Sequence, residues 1–318
     1  MKLPAARGPL TETLINSLRD PILCRARATW PAIAGLSGED HQLALWILYE
    51  LHYQSFDDVA DDCEWDPGFL ALRHDLEVPF ERDLRQAWRQ YARDGIDLAG
   101  LIDGFEAPSL ARYVQRKATR EQTLQILRYK SIYQLKEADP HTWAIPRLRG
   151  KAKAALVELQ FDEYGDGHAE RMHAELFALT LSEAGLDPSY GAYINEVGAS
   201  TLALSNVMSF FGLHRRLRGA AMGHLAAFES TSSIPCRQFA MGLRRLDFSD
   251  QVALFFDEHV EADAVHEQLA VRSICGTLAA EEPALRDDIL FGAFTCLHVE
   301  ALHTTELLES WASERKAS

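Results

Sequence analysis

Residues Phe255–His266 read FFDEHVEADAVH, and the remaining candidate ligands can be found by working outward from this stretch. On an α-helix, with about 100° per residue, one arc of roughly 80° collects several of its side chains. These are Val252, Phe256, His259, Asp263, His266 and Ala270. The arc contains the apolar residues, so it should face the interior. Burying two imidazoles and a carboxylate there without partners would be costly, and a metal ion supplies the partner. The stretch therefore predicts His259, Asp263 and His266 as metal ligands.

A second stretch, residues 156–177 (LVELQFDEYGDGHAERMHAELF), carries the next candidates. We expect a helix from about Lys151 to Tyr164 that is loosened or kinked at Gly165–Gly167 and resumes to about Ala184; the face described next assumes that it continues through these glycines. On such a helix Glu163, Glu170 and His173 share one face about 80° wide. Glu170 and His173 form the i, i+3 Glu-x-x-His pair that helical di-iron proteins use. Asp162 lies off this face, where we expect it in solvent or beside a ligand.

A first helix, expected from Glu121 to Arg149, should supply one more carboxylate, Glu137. Pro140 should kink that helix beside Glu137, because proline removes a backbone hydrogen bond. The full candidate set is Glu137, Glu163, Glu170, His173, His259, Asp263 and His266. Mixed imidazole and carboxylate ligands suit iron or manganese. Seven ligands suit two ions about 3.5–4 Å apart. We therefore expect a site for two ions of iron or manganese, and two Fe(II) ions could share the electrons needed to reduce dioxygen.

Composition limits the class of protein. The 318 residues are 47% hydrophobic, enough for a substantial core, and the net charge of -15 lacks the footprint of a nucleic-acid binder. Five cysteines without a CxxC pair are typical of free thiols in a reducing compartment. There is no run of about 18 apolar residues, so we expect a cytoplasmic protein with no membrane segment. Helical periodicity dominates and strand signals are scarce, which predicts an all-α protein.

The pattern along the chain divides it in two. Residues 1–118 predict an N-terminal helical region, with helices at Glu39–Asp57 and Pro79–Tyr91. Residues 119–318 predict a domain of about seven helices separated by proline and glycine breaks. Within this domain Asn206, His224 and Glu229 lie in apolar helices. Each could contact substrate, orient a ligand, or be a satisfied buried polar group.

Three motifs together resemble a known family. They are LKEADP at 135–140, DEYGDGHAERMHAELF at 162–177 and DEHVEADAVHE at 257–267. In this order and spacing they resemble the signature of the iron-containing redox enzymes, which are haem-oxygenase-like di-iron oxidases and oxygenases. The resemblance covers about residues 120 to 310.

The resemblance implies that the seven candidates named above are the iron ligands, on a haem-oxygenase-like seven-helix bundle with an N-terminal helical extension. It implies two irons, one often labile, and O2 as co-substrate. The chemistry implied is N-oxygenation, desaturation or C–C cleavage of an amine, an amino-acid derivative or a fatty acid. An electron donor and a homodimer are further expectations.

Other functions remain open from the residues alone. A haem-binding or haem-degrading protein on the same fold would need one axial histidine and a roomy apolar pocket, and inward carboxylates argue against it. A non-catalytic metal-binding helical protein would hold iron without turnover. A metal-free hydrolase of the thiamin-salvage type would need a nucleophilic cysteine, and no cysteine here has a matching context.

Overall fold

The computed structural model describes residues 1–20, 30–31 and 38–317, without the side chains of residues 261–265 and 315–317. Every regular element in these residues is helical, and they contain no strand. The predicted all-α fold class is therefore confirmed.

The described part of the first 118 residues contains five α-helices. They are α1 (Pro9–Arg19), α2 (Gly38–Glu50), α3 (Pro67–Tyr91), α4 (Leu98–Asp103) and α5 (Leu110–Arg116), with a 3-10 turn at Asp61–Trp65. Two sequence predictions need correction here. The helix expected at Pro79–Tyr91 begins at Pro67, because Asp66 accepts hydrogen bonds from the backbone N–H groups of Gly68 and Phe69 and caps an earlier start. The helix expected to reach Asp57 ends at Glu50.

The helices of the later region pack around the predicted site. They are α6 (Arg120–Gln134), α7 (Asp139–Thr142), α8 (Gly150–Glu163), α9 (His173–Glu183), α10 (Ala199–Leu213), α11 (Arg218–Ser230), α12 (Ser233–Arg245), α13 (Asp250–Gln268), α14 (Thr277–Glu281) and α15 (Arg286–Ala317). A π-helical segment, Leu269–Gly276, joins α13 to α14. Short 3-10 turns lie at Ile145–Arg147, Gly165–Gly167, Ala169–Arg171, Arg215–Leu217 and Pro283–Leu285.

The interruption predicted at Gly165–Gly167 is present, but it is a full break rather than a kink, because the structure has two separate helices there. α8 ends at Glu163, two 3-10 turns follow, and α9 begins at His173. Asp166 has a left-handed backbone, with φ at 55°. Gly165 has φ at +69°, and a Cβ placed on it would lie 2.6 Å from the backbone nitrogen of Met172. Only glycine tolerates both the positive φ and the close approach of Met172 at position 165, so the chain can fold back sharply here.

The first predicted helix also ends early. α6 stops at Gln134, so Glu137 lies in a turn before α7 rather than on a kinked helix. Pro140 sits in the first turn of α7, where proline is well tolerated. Gly212 of α10 packs directly on this segment, since a Cβ there would lie 2.1 Å from the carbonyl oxygen of Pro140. The close approach fixes α7, and with it the turn that carries Glu137.

The two predicted regions share one hydrophobic core. Leu10, Leu43 and Trp46 of the first region belong to the same buried cluster as Leu202 and Phe210 of the second. Polar contacts add to this packing. The indole of Trp88 donates to Asp287 at 3.2 Å, and Arg85 pairs with Asp288 at 2.7 Å. The first 118 residues are thus packed on the later helices, and the boundary at 118/119 stays a prediction.

Membrane-spanning character is missing from the described helices. A helix that crosses a bilayer needs about 20 predominantly apolar residues. The 32-residue α15 is long enough, but it carries Asp287, Asp288, Glu300 and Glu306. None of the helices within residues 1–20 and 38–317 is both long and apolar enough to cross a membrane.

Candidate metal centre

Six buried side chains form two adjacent groups of candidate ligands. The first group is Glu137, His173 and His259; the second is Glu163, Glu229 and His266. In each group the potential ligand atoms lie within 4.8 Å of one another. These side chains lie on four helices and one turn. α13 carries His259 and His266, while α8, α9, α11 and the turn after α6 carry one of the other residues each.

The first group has a defined imidazole orientation. The Nδ1 atom of His259 lies 2.7 Å from the carbonyl oxygen of Phe255, so Nδ1 donates and Nε2 is the acceptor. That Nε2 lies 3.7 Å from Oε2 of Glu137. The ring centroids of His173 and His259 are 4.3 Å apart. When its amide nitrogen faces Glu137, Gln134 donates to both carboxylate oxygens, at 2.7 and 2.8 Å. Backbone and amide contacts therefore aim this group before any ion binds.

The second group surrounds one imidazole with carboxylates. Nδ1 of His266 lies 3.3 Å from Oε2 of Glu229 and 3.4 Å from Oε1 of Glu163. Its Nε2 lies 2.6 Å from Oδ2 of Asp162. Burial alone would lower the pKa of His266, but Glu229, Glu163 and Asp162 outweigh it and raise the pKa to about 10. In the metal-free chain this imidazole is therefore the cation that balances the carboxylates.

Glu163 lies between the two groups. Its Oε1 faces His266, and its Oε2 lies 2.9 Å from Nδ1 of His173. Burial would raise the pKa of Glu163, but His173, His259 and His266 together lower it to about 2. The residue is thus a buried carboxylate with one oxygen toward each group. This is the position from which a carboxylate can bridge two ions.

The contact between His173 and Glu163 indicates whether this group of residues could bind a metal ion. Both Nδ1 of His173 and Oε2 of Glu163 are buried, and neither has hydrogen-bond geometry to any partner among the described residues. Buried polar atoms are almost always satisfied, so such a pair calls for an ion or another ligand. Imidazole and carboxylate donors without thiolate suit iron or manganese. The residues present therefore fit the metal that the sequence predicts.

The structure brings together five of the seven sequence-predicted ligands. They are Glu137, Glu163, His173, His259 and His266. The side chain of Asp263 lies outside the described residues. Glu170 is exposed, in the 3-10 turn Ala169–Arg171. The i, i+3 geometry predicted for Glu170 and His173 is wrong for this structure, because Met172 is extended, with ψ at 135°, and the α-helix begins only at His173.

Two participating carboxylates were not predicted as ligands. Glu229 is 6% exposed and lies in α11, whose sequence RGAAMGHLAAFES consists mostly of small and apolar residues. Its burial in such a helix is the signal that could have found it. Asp162 directly precedes Glu163 and holds the opposite face of His266, while its own side chain remains 43% exposed. A carboxylate in this position fixes the orientation of a metal-binding imidazole.

A cavity of about 380 Å³ adjoins the first group, with Glu137 and His259 in its wall. Most of the wall is apolar and comes from α6, α10, α11, α12, α13 and α15. It includes Leu204, Met208, Phe228, Phe239, Phe255, Phe256 and Val299. Residues of the first region, from Ile102 to Ala111, complete it. The size suits a small-molecule site.

Comparison with known proteins agrees with this geometry. The sequence family described as iron-containing redox enzyme matches residues 124–301, more than half of the 318 residues. No curated protein matched the chain. The matched span contains all six clustered side chains, and the all-helical structure is consistent with a haem-oxygenase-like fold. The chain belongs to the iron-containing redox enzyme family.

Proposed function

We propose that the protein is a non-haem di-iron oxidoreductase that uses dioxygen to oxidise a small molecule bound in the adjoining cavity. The observation that carries the proposal is the meeting of two buried imidazole–carboxylate groups at Glu163. Membership of an iron-containing redox family supports iron as the metal. Two Fe(II) ions, when bound, supply electrons that reduce dioxygen.

In this proposal each group would hold one ion. Glu137, His173 and His259 would hold the first, and Glu229 and His266 the second, with Glu163 available to both. A ligating imidazole must be neutral, so His266 would give up the proton that it holds in the metal-free chain. Asp162 can accept the remaining N–H of His266 and so keep its ring oriented.

The cavity gives the substrate its place. A molecule bound there would lie beside Glu137 and His259, so the end of the substrate that reaches the first group would be the one oxidised. The apolar wall excludes water from this end, which strengthens charge interactions and limits side reactions. Amines, amino-acid derivatives and fatty acids remain the substrate classes under this proposal.

The direct test is iron loading followed by exposure to oxygen. Chelator-treated full-length protein is titrated anaerobically with Fe(II), and bound iron is measured after gel filtration. We expect two equivalents per chain and rapid oxygen consumption on mixing with air-saturated buffer. His259→Ala and His266→Ala should lower both, whereas the matched control His168→Ala, at an exposed histidine, should change neither.

Two outcomes would contradict the proposal. One is wild-type protein that takes up no iron, and the other is iron-loaded protein that consumes no oxygen. A Soret band that forms on haemin addition, and is lost in a single histidine variant, would instead favour a haem protein on this fold. Iron uptake without turnover of any candidate substrate would favour a storage role.

A further inference from the structure

Lys136, the residue that directly precedes Glu137, has its charge buried against the first region. Its side chain is 1% exposed, and its ammonium donates to Oε1 of Glu50, whose side chain is 0% exposed. The ammonium also lies 4.3 Å from the ring centre of Tyr53. Glu50 is the last residue of α2, so this ion pair joins α2 to the turn between α6 and α7. Neither Lys136 nor Glu50 belongs to the two groups of candidate ligands.

The partners of Lys136 are themselves held by later parts of the chain. The hydroxyl of Tyr190, in the segment between α9 and α10, donates to Oε2 of Glu50 at 2.6 Å. Both carboxylate oxygens of Glu50 are therefore hydrogen-bonded. The hydroxyl of Tyr53 donates to Oγ of Ser209 on α10 at 3.1 Å. Because hydrogen bonds to charged groups are strong and directional, these contacts define one position for the ammonium.

The turn directs two neighbouring charged side chains to different sides. Lys136 extends to Glu50 of α2, while Oε2 of Glu137 lies 3.7 Å from Nε2 of His259. Consecutive Cα atoms are about 3.8 Å apart, so a shift of the backbone at Lys136 displaces Glu137 as well. The carbonyl oxygen of Lys136 also accepts a hydrogen bond from the N–H of Asp139, the first residue of α7, at 3.1 Å. Lys136 therefore connects the first region, the start of α7 and a candidate metal ligand.

The burial of this ion pair indicates what it contributes. A buried pair adds little net stability compared with apolar side chains of the same size, because both charges lose their hydration. What it adds is a fixed direction, which apolar packing lacks. We infer that Glu50 and Lys136 are positioning residues for the candidate metal centre, because their pair holds the turn so that the carboxylate of Glu137 faces His259. That Glu137 binds an ion there rests on the proposed function.

This inference gives the first region a role in the site. The family match begins at residue 124, so α2 and Glu50 lie outside it. The first region nevertheless supplies the counter-ion for the residue beside Glu137. The geometry of the first ligand group therefore depends on residues of both regions.

A double variant separates the position of the turn from the stability of the fold. Glu50→Gln combined with Lys136→Met removes both charges and leaves no buried charge unpaired. The amide introduced at position 50 can still accept the hydrogen bond from Tyr190. Hydrogen–deuterium exchange of metal-free full-length protein, read by mass spectrometry, reports on the turn. We expect the amides of residues 135–139 to exchange at least about tenfold faster than in the wild type, a local opening free energy lower by about 1.4 kcal/mol.

The matched control is Arg85→Met. Arg85 also pairs across the two regions, with Asp288 at 2.7 Å, and lies over the ring of Phe291 at 3.8 Å. It has no contact with the turn, so the exchange of residues 135–139 should stay within about twofold of the wild type. Tyr190→Phe is a milder second variant that removes one hydrogen bond to Glu50. It should accelerate the exchange of the same amides by about threefold or more.

Mn(II) titration of the same metal-free proteins tests the consequence for the metal centre. Imidazole and carboxylate sites accept Mn(II), and we expect the wild type to bind two ions. His259→Ala identifies the binding event of the first group, and Glu229→Gln identifies that of the second. The double variant should weaken the first event at least about tenfold and leave the second within about twofold, because Glu137 belongs to the first group alone. A merely structural role would weaken both events or neither.

Several results would overturn the inference. One is unchanged exchange of residues 135–139 in the folded double variant and in Tyr190→Phe. Another is equal weakening of the two Mn(II) binding events, or no weakening of either, in the folded double variant. Wild-type protein that binds neither Mn(II) nor Fe(II) would contradict the proposed function, and with it the role of the pair toward a metal. The exchange measurement needs no metal, so it would still decide whether the first region holds the turn.

Discussion

At the residue scale, Glu163 determines whether the two ligand groups act together. Each of its oxygens faces a different imidazole, at 2.9 Å from His173 and 3.4 Å from His266. Sequence periodicity found this residue because it ends α8 on the inward face, before the chain departs from helical geometry. Periodicity could not find Glu229, because a lone carboxylate in an apolar helix carries no spacing motif. The apolar helix around it marks Glu229 as a candidate, but only its neighbours in the structure show that it joins a ligand group.

Glu163→Gln tests the shared role. Glutamine keeps the shape but removes the negative charge that balances three nearby imidazoles. We expect at most one iron per chain, measured by metal analysis after anaerobic loading and gel filtration, because neither ion would retain its shared carboxylate. The matched control is Glu158→Gln on the same helix, which is exposed and should keep two irons. Two tightly held irons in Glu163→Gln would rule out the bridging position.

At the element scale, the sequence predicted the helices and the positions of several breaks between them, but not how far the chain departs from helical geometry at a break. α13 presents His259 and His266 on one face because no glycine or proline interrupts residues 250–268. The segment from Tyr164 to Met172 departs from its helical pattern because Asp166 and two glycines adopt positive φ. The segment folds back so that Met172 packs on Gly165, a geometry that helical periodicity does not describe. Glu170 was misplaced for this reason, whereas His173 was not, since it starts the next helix.

Alanine substitutions at the two glycines of this break allow the effect of backbone strain to be measured separately from the effect of steric overlap. Gly165 and Gly167 both have positive φ, at +69° and +81°. A Cβ at position 167 has only a ring carbon of Phe161 at 4.0 Å, whereas one at position 165 overlaps the backbone of Met172. We expect Gly167→Ala to lower the free energy of unfolding by about 1 kcal/mol. Gly165→Ala should lower it by about 2–3 kcal/mol, and should also reduce iron occupancy, because it displaces His173 relative to Glu163.

Urea unfolding of the metal-free proteins measures the stability difference, and metal analysis measures the occupancy. Equal losses in the two alanine variants would mean that the segment relaxes around position 165. In that case the fold-back at Met172 would not be what positions the two ligands.

At the scale of the whole molecule, a buried pair of neutral histidines links stability to pH. His141 of α7 and His224 of α11 have ring centroids 5.5 Å apart, and both are buried. Burial lowers the pKa of His141 to about 4, only partly offset by Glu163, and burial with the nearby His141 lowers the pKa of His224 well below its ordinary value. The sequence marked His224 as a polar residue in an apolar helix, but its pairing depends on how α7 meets α11. The contact between these two rings packs α7, which follows the turn that carries Glu137, against α11, which carries Glu229.

The pair should make the metal-free chain sensitive to mild acid. In the unfolded chain these histidines have the ordinary pKa of 6.5, so below that pH they bind protons that the buried rings of the folded chain do not bind. The free energy of unfolding therefore falls as pH drops from 6.5 toward 4. For His141 the loss between about pH 7.5 and about pH 5 is about 2 kcal/mol. His141→Gln should remove that share of the loss, whereas His168→Gln, at an exposed histidine, should retain it. Urea unfolding at about pH 7.5 and pH 5 measures the difference, in which contributions common to all three proteins cancel. If His141→Gln lost as much stability between these pH values as the wild type, His141 would not be held neutral by burial, and the packing of α7 on α11 would have to be looser than the structure has it.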